Sequence, residues 1–444
     1  MRLLGFVFCA VLLGCSCILA VSGEAEKAGG AGDTITVFIT GNELGAMKPC
    51  GCFGGQLGGL DRRGAVLDTA APDRRLMLDT GNLVAGDSEQ ELIKFYIIVQ
   101  AFGTLGYDVV RFTEKDIEAA KSQGMLQATG LGFEVITASA APDANLPSKY
   151  TKKFSTKAGE LVVNVGEIDT KGDFAARAAK LFGGGAKEGA VNILMVNDCN
   201  ERVLEGIKKR GAIDCLICPS EGEEPIRTSK AGEKPMVISP GRLGKYVGVL
   251  RIKAVEGKAK GALEFEVKKV TEDLPQQKEQ QKLYQEYQQM VKAAGLLEKH
   301  PKFALADELK YVGSEACNAV CHKEVYEKWR GFGHARAYAT LEEVGSQYDP
   351  ECVVCHVVGL NDESGFVSEE GPAGLRNVGC ESCHGPGSEH VKNPYGAQTP
   401  GDSWRTCVTC HTVEHSAGFA GHEKEYLEKI RHWSEQNVDS NVKK

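Results

Sequence analysis

The sequence predicts two regions of different construction: an α/β, sandwich-like domain over residues 34–270 and a mostly helical, loop-rich region over residues 311–435. Three observations predict this division. Short runs rich in β-branched residues alternate with helix-like stretches through the first region and then stop. All ten histidines lie at or beyond His300, as do the three tryptophans, Trp329, Trp404 and Trp433. A chain of 444 residues is also too long for one ordinary core, so two or three domains are expected.

The N-terminus reads as an address rather than a fold. Arg2 precedes the apolar run LLGFVFCAVLLGC, and small and polar residues follow. That run is too short to span a bilayer as a helix, so residues 1–23 are expected to be a secretory signal. Two cleavage readings compete. Cutting within Leu13-Gly14-Cys15 would leave a lipid anchor on Cys15, whereas cutting after Ala20-Val21-Ser22 would release a free periplasmic protein. Both export the chain. The net charge of −8 argues against a nucleic-acid partner, because phosphate binding needs a basic face.

In order, TITVFIT, RLMLD, DVVRF, FEVITA, LVVNVGEI, NILMVN, DCLIC and PMVIS read as strands. EQELIKFYIIVQAFGTLG and ERVLEGIKKRG read as helices between them. YVGVLRIKAVEGKAKGALEFEVKKV reads as a closing hairpin that turns near Glu256-Gly257. Residues 272–310 are polar and glutamine-rich. There Leu283, Tyr287, Met290 and Ala294 fall on one helical face, which predicts a linker helix packed on one side. Beyond residue 310 long periodic runs are missing, and the segment is not expected to build its own apolar core.

Sixteen cysteines in an exported chain would ordinarily suggest disulfides. Their spacing suggests something else. Cys352-Val353-Val354-Cys355-His356, Cys380-Glu381-Ser382-Cys383-His384 and Cys407-Val408-Thr409-Cys410-His411 are C-x-x-C-H attachment sequences for c-type haem. Cys317-Asn318-Ala319-Val320-Cys321-His322 is the same pattern with one extra residue between the cysteines. Two thiols would form thioethers and the adjoining histidine would be the proximal iron ligand. Zinc is the alternative for paired cysteines, but it leaves the regular histidine unexplained. Four c-type haems are therefore expected, and as large apolar bodies they would supply the core that this segment lacks.

Four irons invite four distal ligands. His390 follows His384 after a Gly385-Pro386-Gly387 turn that sends the chain away, so it is expected to serve a neighbouring haem. His334 in WRGFGHARA and His432 in YLEKIRHW are the other good candidates. His415 and His422 are weaker, and His300 reads as a solvated linker residue. One haem is left five-coordinate or takes a weak candidate.

The order YVGSEAC-NAV-CHKEVYEKW, GHARA, CHGPGSEH, CVTCH and KIRH resembles the tetrahaem cytochrome family that accepts electrons from hydroxylamine oxidoreductase in nitrifying bacteria. The resemblance covers residues 311–435. It implies closely stacked, mostly bis-histidine haems with one open iron. Carried over, the proximal ligands are His322, His356, His384 and His411, and the distal ligands are His334, His390 and His432. The extra residue in the first motif departs from the family pattern.

The first region resembles the 5'-nucleotidase-type metallophosphoesterases through FITGNELGAMKPCGC, LMLDTGN, GYDVVRFTEKDIE, FEVITASA and GAIDCLICPS. That resemblance implies their framework but not their metals. Asn42 and Leu44 stand at the first Asp and His positions, and Asn82 stands at the bridging Asp. Glu114-Lys115 replaces the Asn-His pair, and Pro219-Ser220-Glu221-Gly222 replaces Gly-His-x-His. Phosphoester hydrolysis is not expected. Cys50, Cys52, Cys199, Cys215 and Cys218 follow or end strands and are expected to converge near the same place. They would form either a thiolate site for an additional metal or redox chemistry, or two structural disulfides and one free thiol. GGQLGGLDRRG reads as a glycine-rich loop, solvated or receiving an anion through Arg62 and Arg63.

The expected function is electron transfer between a redox-protein donor and acceptor, by a carrier rather than an enzyme. A redox enzyme acting on a small nitrogen or sulfur species at an open haem is the alternative, and a residual phosphoesterase is a further one.

Overall fold

The computed structural model describes residues 34–49, 55–126, 130–138, 146–183, 190–254, 261–318, 321–371, 373–401, 403–413, 415–416 and 418–432. The signal-like residues 1–23, Cys50, Cys52 and the hairpin tip at Glu256-Gly257 lie outside these.

Among the described residues the first region holds two sheets. Its strands are β1 (Thr34–Thr40), β2 (Arg75–Asp79), β3 (Val109–Arg111), β4 (Glu134–Ile136), β5 (Lys149–Thr156), β6 (Gly159–Ile168), β7 (Ala190–Val196), β8 (Cys215–Ile217), β9 (Met236–Ile238), β10 (Tyr246–Lys253) and β11 (Leu263–Lys269). One sheet has the order β11-β10-β1-β2-β3-β4 and the other β5-β6-β7-β8-β9. β1 to β4 are mutually parallel, while β10 runs antiparallel to β1 and to β11. In the second sheet β6 to β9 are parallel and β5 is an antiparallel edge.

Strand periodicity sorts the side chains into layers. Ile35, Val37 and Ile39 of β1 face the second sheet and meet Val163, Val165, Val191 and Ile193 there. Phe38, between them, faces outward against α2 (Glu89–Leu105). On the far side Leu194, Val196 and Leu216 pack on α4 (Phe174–Leu181) and α5 (Glu201–Arg210). The result is helix, sheet, sheet, helix. Each large apolar side chain buried in these layers contributes roughly 1.5–3 kcal/mol.

Local signals set the helix ends. Ser88 caps α2 by accepting from the Glu91 N–H, and Gly106 ends it at φ 81°. Thr113 and Asp116 form a reciprocal capping box on α3 (Glu114–Ser122). α1 (Leu60–Leu67) begins inside the segment expected to be a glycine-rich loop, and the structure corrects that reading. Arg63 is fully buried and paired with Glu43 at 2.7 Å, so it is not available to a solvent anion. Arg62 donates to the Gln56 carbonyl at 3.3 Å.

α6 (Lys278–Ala293) is more than a linker. Tyr287 and Val291 are buried in the same apolar cluster as Phe95 and Phe102 of α2, with Leu283, Met290 and Ala294 packed around them.

The second region is made of short helices: α7 (Ser314–Asn318), α8 (Lys323–Arg330), α9 (Ala337–Val344), α10 (Pro350–Val353), α11 (Cys380–His384), α12 (Ser388–Lys392), α13 (Ser403–Cys410) and α14 (Glu423–Lys429). It does possess a small protein core, contrary to the sequence expectation. Leu297, Tyr338, Leu341, Val353, Val357 and Phe366 are buried together around α10. The intervening residues of the second attachment motif themselves provide apolar surface, and this made the core hard to foresee.

Candidate functional site

Each attachment motif sits on or beside a short helix. Cys317 lies in α7, Cys352 in α10, Cys380 and Cys383 in α11, and Cys407 and Cys410 in α13. Cys321, Cys355 and the motif histidines follow directly. Among the described residues no cysteine of these motifs is in a disulfide. The thiols approach one another between motifs, with Cys317 hydrogen-bonded to Cys380 and Cys410 to Cys355. The first and third motifs are therefore neighbours, as are the second and fourth.

The histidines pair across long stretches of chain. The rings of His322 and His390 lie 6.2 Å apart, centre to centre. His334 and His411 are 6.2 Å apart, and so are His384 and His432. Each pair joins one motif histidine to one histidine from elsewhere. Two metal–nitrogen bonds of about 2 Å each, plus the distance from each nitrogen to its ring centre, match this separation. The donor set therefore fits an iron held between two imidazoles. His356 has no such partner ring among the described residues.

Hydrogen bonds fix several of these rings. Nδ1 of His356 donates to the Ala337 carbonyl at 2.5 Å, that of His390 to Ala397 at 2.8 Å, and that of His432 to Ile430 at 2.9 Å. Nδ1 of His411 lies 3.0 Å from Ser416 Oγ. With Nδ1 engaged, Nε2 is the nitrogen left to bind a metal. Burial pushes the imidazoles of His334, His356, His384 and His411 below their ordinary range, and neighbouring imidazoles add to this at His334 and His384. The neutral ring is the ligating form. The weaker candidates have other partners: His300 meets Asn361, His415 meets Thr412, and His422 meets Glu425.

Further residues, not singled out in the sequence, hold the motifs in place. The Glu381 carboxylate, between the cysteines of the third motif, accepts from the N–H groups of Val312, Gly313 and Gly387. It ties the first motif's approach to the turn that carries His390. Asp349 caps α10 and accepts from Gln90 Nε2 at 2.8 Å and from the Tyr287 hydroxyl at 2.9 Å. Lys94 of α2 reaches Glu351 at 2.6 Å. The second motif is thus fastened to the α/β region and α6.

In the α/β region a cavity of about 530 Å³ opens at the carboxyl ends of the parallel strands. Asn42, Asn82, Glu114, Lys115 and Pro219, the positions singled out in the sequence, line it together with Arg111, Glu167 and Cys218. Asn42 and Asn82 have φ values of 53° and 58°, a costly left-handed backbone for non-glycine residues. Asn82 Nδ2 donates to Asn42 Oδ1 at 2.8 Å, and Asn42 Nδ2 donates to the Gly241 carbonyl at 2.9 Å. The two neutral amides are thus joined by one hydrogen bond at the mouth of the cavity. Arg111 is paired with Glu167 at 2.6 Å.

Of the five thiols expected to converge, Cys50 and Cys52 lie outside the described residues, Cys215 does not reach the cavity, and the other two follow the disulfide alternative. Cys199 and Cys218 form a disulfide at the cavity rim. Cys215 faces the core between the sheets, on the same side of β8 as Ile217, and burial pushes its thiol far up. Strand parity sends it away from the cavity. Among the described residues no three His, Cys, Asp or Glu side chains form a metal-holding group.

Residues 316–385 match the family described as cytochrome c554 and c-prime. A curated relative, cytochrome c-554 of Nitrosomonas europaea, is 33% identical over 99 residues, 19% of this chain and 42% of that protein. The chain therefore spans less than half of that relative's length. Solved structures of similar layout include the calcineurin-like phosphoesterase YfkN from Bacillus subtilis, at 15% identity and a TM-score of 0.42 over 58% of this chain and 97% of that one. The 5'-nucleotidase precursor from Thermus thermophilus gives 15% identity and a TM-score of 0.45 over 64% of this chain and 63% of that one. The C-terminal region is thus similar to cytochrome c554 across the stretch that holds the first three attachment motifs.

Proposed function

We propose that this chain is an exported multihaem c-type cytochrome that carries electrons through four covalently bound haems between a protein donor and a protein acceptor. The observation that carries the reading is the set of three imidazole pairs at one common separation, 6.2 Å. Cys317 and Cys321, Cys352 and Cys355, Cys380 and Cys383, and Cys407 and Cys410 would form the thioethers. His322, His356, His384 and His411 would be proximal ligands, with His390, His432 and His334 opposite the first, third and fourth. Bound c-type haem supplies one-electron redox chemistry. The chain's part is to hold the ligands neutral, orient them through Nδ1, and bring motifs into contact in pairs.

A second reading rests on His356. Its lack of an opposing ring among the described residues favours one open iron, where a small nitrogen or sulfur species could react. The signal-like N-terminus supports a periplasmic location, free or anchored by a lipid on Cys15. The α/β domain would be a docking or sensing module that does not hydrolyse phosphoesters. Two-metal hydrolysis needs ligands that lower the pKa of a bridging water, and the neutral Asn42 and Asn82 amides bring no carboxylate to hold one.

The test is a combined optical and paramagnetic spectrum of the full chain matured in a host competent for cytochrome assembly. Four haems, three low-spin and one high-spin, are expected. Colourless protein would end the proposal, and four low-spin haems would end the open-iron reading. Phosphate release from nucleotides with added divalent metal would end the non-hydrolytic assignment.

A further inference from the structure

We propose that a second cavity, between the two regions, is a binding site for a small protonated primary amine. The cavity measures about 470 Å³, within the usual range for a small-molecule site. It is enclosed by α1, α2 and α6, with the end of α9 at Glu343–Gly345 closing it from the second region.

Its chemistry is one-sided. Asp61 is 5% exposed and Gln280 is 4% exposed, and both line the cavity. Among the described residues neither oxygen of the Asp61 carboxylate has a hydrogen-bond partner, and neither has Gln280 Oε1. The Gln280 amide cannot turn to help, because its Nε2 donates to Thr104 Oγ1 at 2.7 Å. Unpaired buried acceptors are costly, and more so when charged. The site therefore calls for a ligand that brings N–H donors and a positive charge.

The remaining wall fits an alkyl chain. Met47, Leu60 and Ile97 are apolar and buried, and Tyr284 presents an aromatic face. Among the lining residues Lys48 is the cation. Its Nζ lies over the Tyr284 ring at 5.2 Å rather than on Asp61. A quaternary ammonium would balance the charge but leave the acceptors unpaired. A neutral alcohol would donate one hydrogen bond and leave the charge. A primary alkylammonium satisfies both demands. Bound there, it would touch the α/β region, α6 and α9 at once.

The experiment is isothermal titration of the full, haem-loaded chain with n-butylammonium chloride, with tetramethylammonium chloride and n-butanol as controls at matched ionic strength. Saturable binding of butylammonium alone is expected. Asp61→Asn should weaken it by roughly ten- to a hundredfold, the scale of one charge-assisted hydrogen bond. Should that variant fail to fold, Leu283→Trp fills the cavity from α6 and should abolish binding with Asp61 intact. No saturable binding, equal binding of a control, or unchanged affinity in these variants overturns the proposal. Binding that appears only in Lys48→Ala also overturns it, because the lysine's own ammonium would then be the occupant.

Discussion

In the α/β region Ile35, Val37, Ile39, Val163 and Ile193 are each 0% exposed, held between two sheets by their neighbours alone. In the second region α8 and α14 bury no residue. What those two helices share is a histidine nearby. His322 directly precedes α8, and His432 lies three residues beyond α14, each opposite an imidazole from another part of the chain. Continuous apolar layers mark the one region, and paired imidazoles the other. The exception lies around α10, where Val353, Val357 and Phe366 build a conventional core beside the one motif histidine without a partner ring among the described residues. The small core thus surrounds the motif whose histidine has no opposing imidazole among the described residues.

The harshest way to break this contrast is Cys383→Ala. Loss of one thioether is expected to remove or loosen a haem, seen by intact mass, and to expose residues 311–432 to protease while 34–270 stay resistant. Unchanged proteolysis would show that the second region does not depend on its attachments. Phe366→Ala should cost about 3–5 kcal/mol and act only around the second motif. Urea unfolding followed by the spectrum of that haem would register it, and an effect below about 1 kcal/mol would deny the small core its role.

A third variant sharpens the α/β side. Burial pushes the Asp79 carboxyl up to about 7, and the nearby Glu43 adds to this. Between its ordinary value near ~4 and that point the unfolded chain releases a proton that the folded chain keeps. Stability of this region should therefore fall as pH rises from about 4 to about 7 and then level off. Asp79→Asn should flatten that slope in denaturation curves taken across the window, and a slope that survives would contradict the assignment. Asp349→Ala acts on the seam. It leaves the buried Tyr287 hydroxyl without its acceptor and α10 uncapped, an expected loss of about 1–3 kcal/mol. Hydrogen exchange at α6 and α10 should rise together, and a rise in one alone would argue that the regions are not fastened there.

Much of the molecule was legible in the residues. β1, β6 and β7 are written as β-branched runs, β2 as the apolar run Leu76-Met77-Leu78, and the attachment motifs as fixed spacings. β5 was missed because Lys149–Thr156 shows one buried apolar residue, Phe154, among lysines and hydroxyls. α1 hid behind its glycines. Arg63 gave no sign of burial because its partner, Glu43, lies 20 positions away in sequence. Cys215 could have been placed by parity with Ile217, which shares its face of β8. The histidine pairings were harder, since no local spacing couples residue 322 to 390 or 334 to 411. Nor did anything local mark Lys94, which acts on a motif far along the chain, or couple Asp349 to Gln90 and Tyr287, which lie far before it.

The three imidazole pairs span residues 322–390, 334–411 and 384–432, and these stretches overlap. Joined through metal, they would make interlocked hoops, so a cut anywhere from 322 to 432 would fall inside at least one of them. A nicked polypeptide would then stay assembled, and the last hoop could not close until residue 432 was in place.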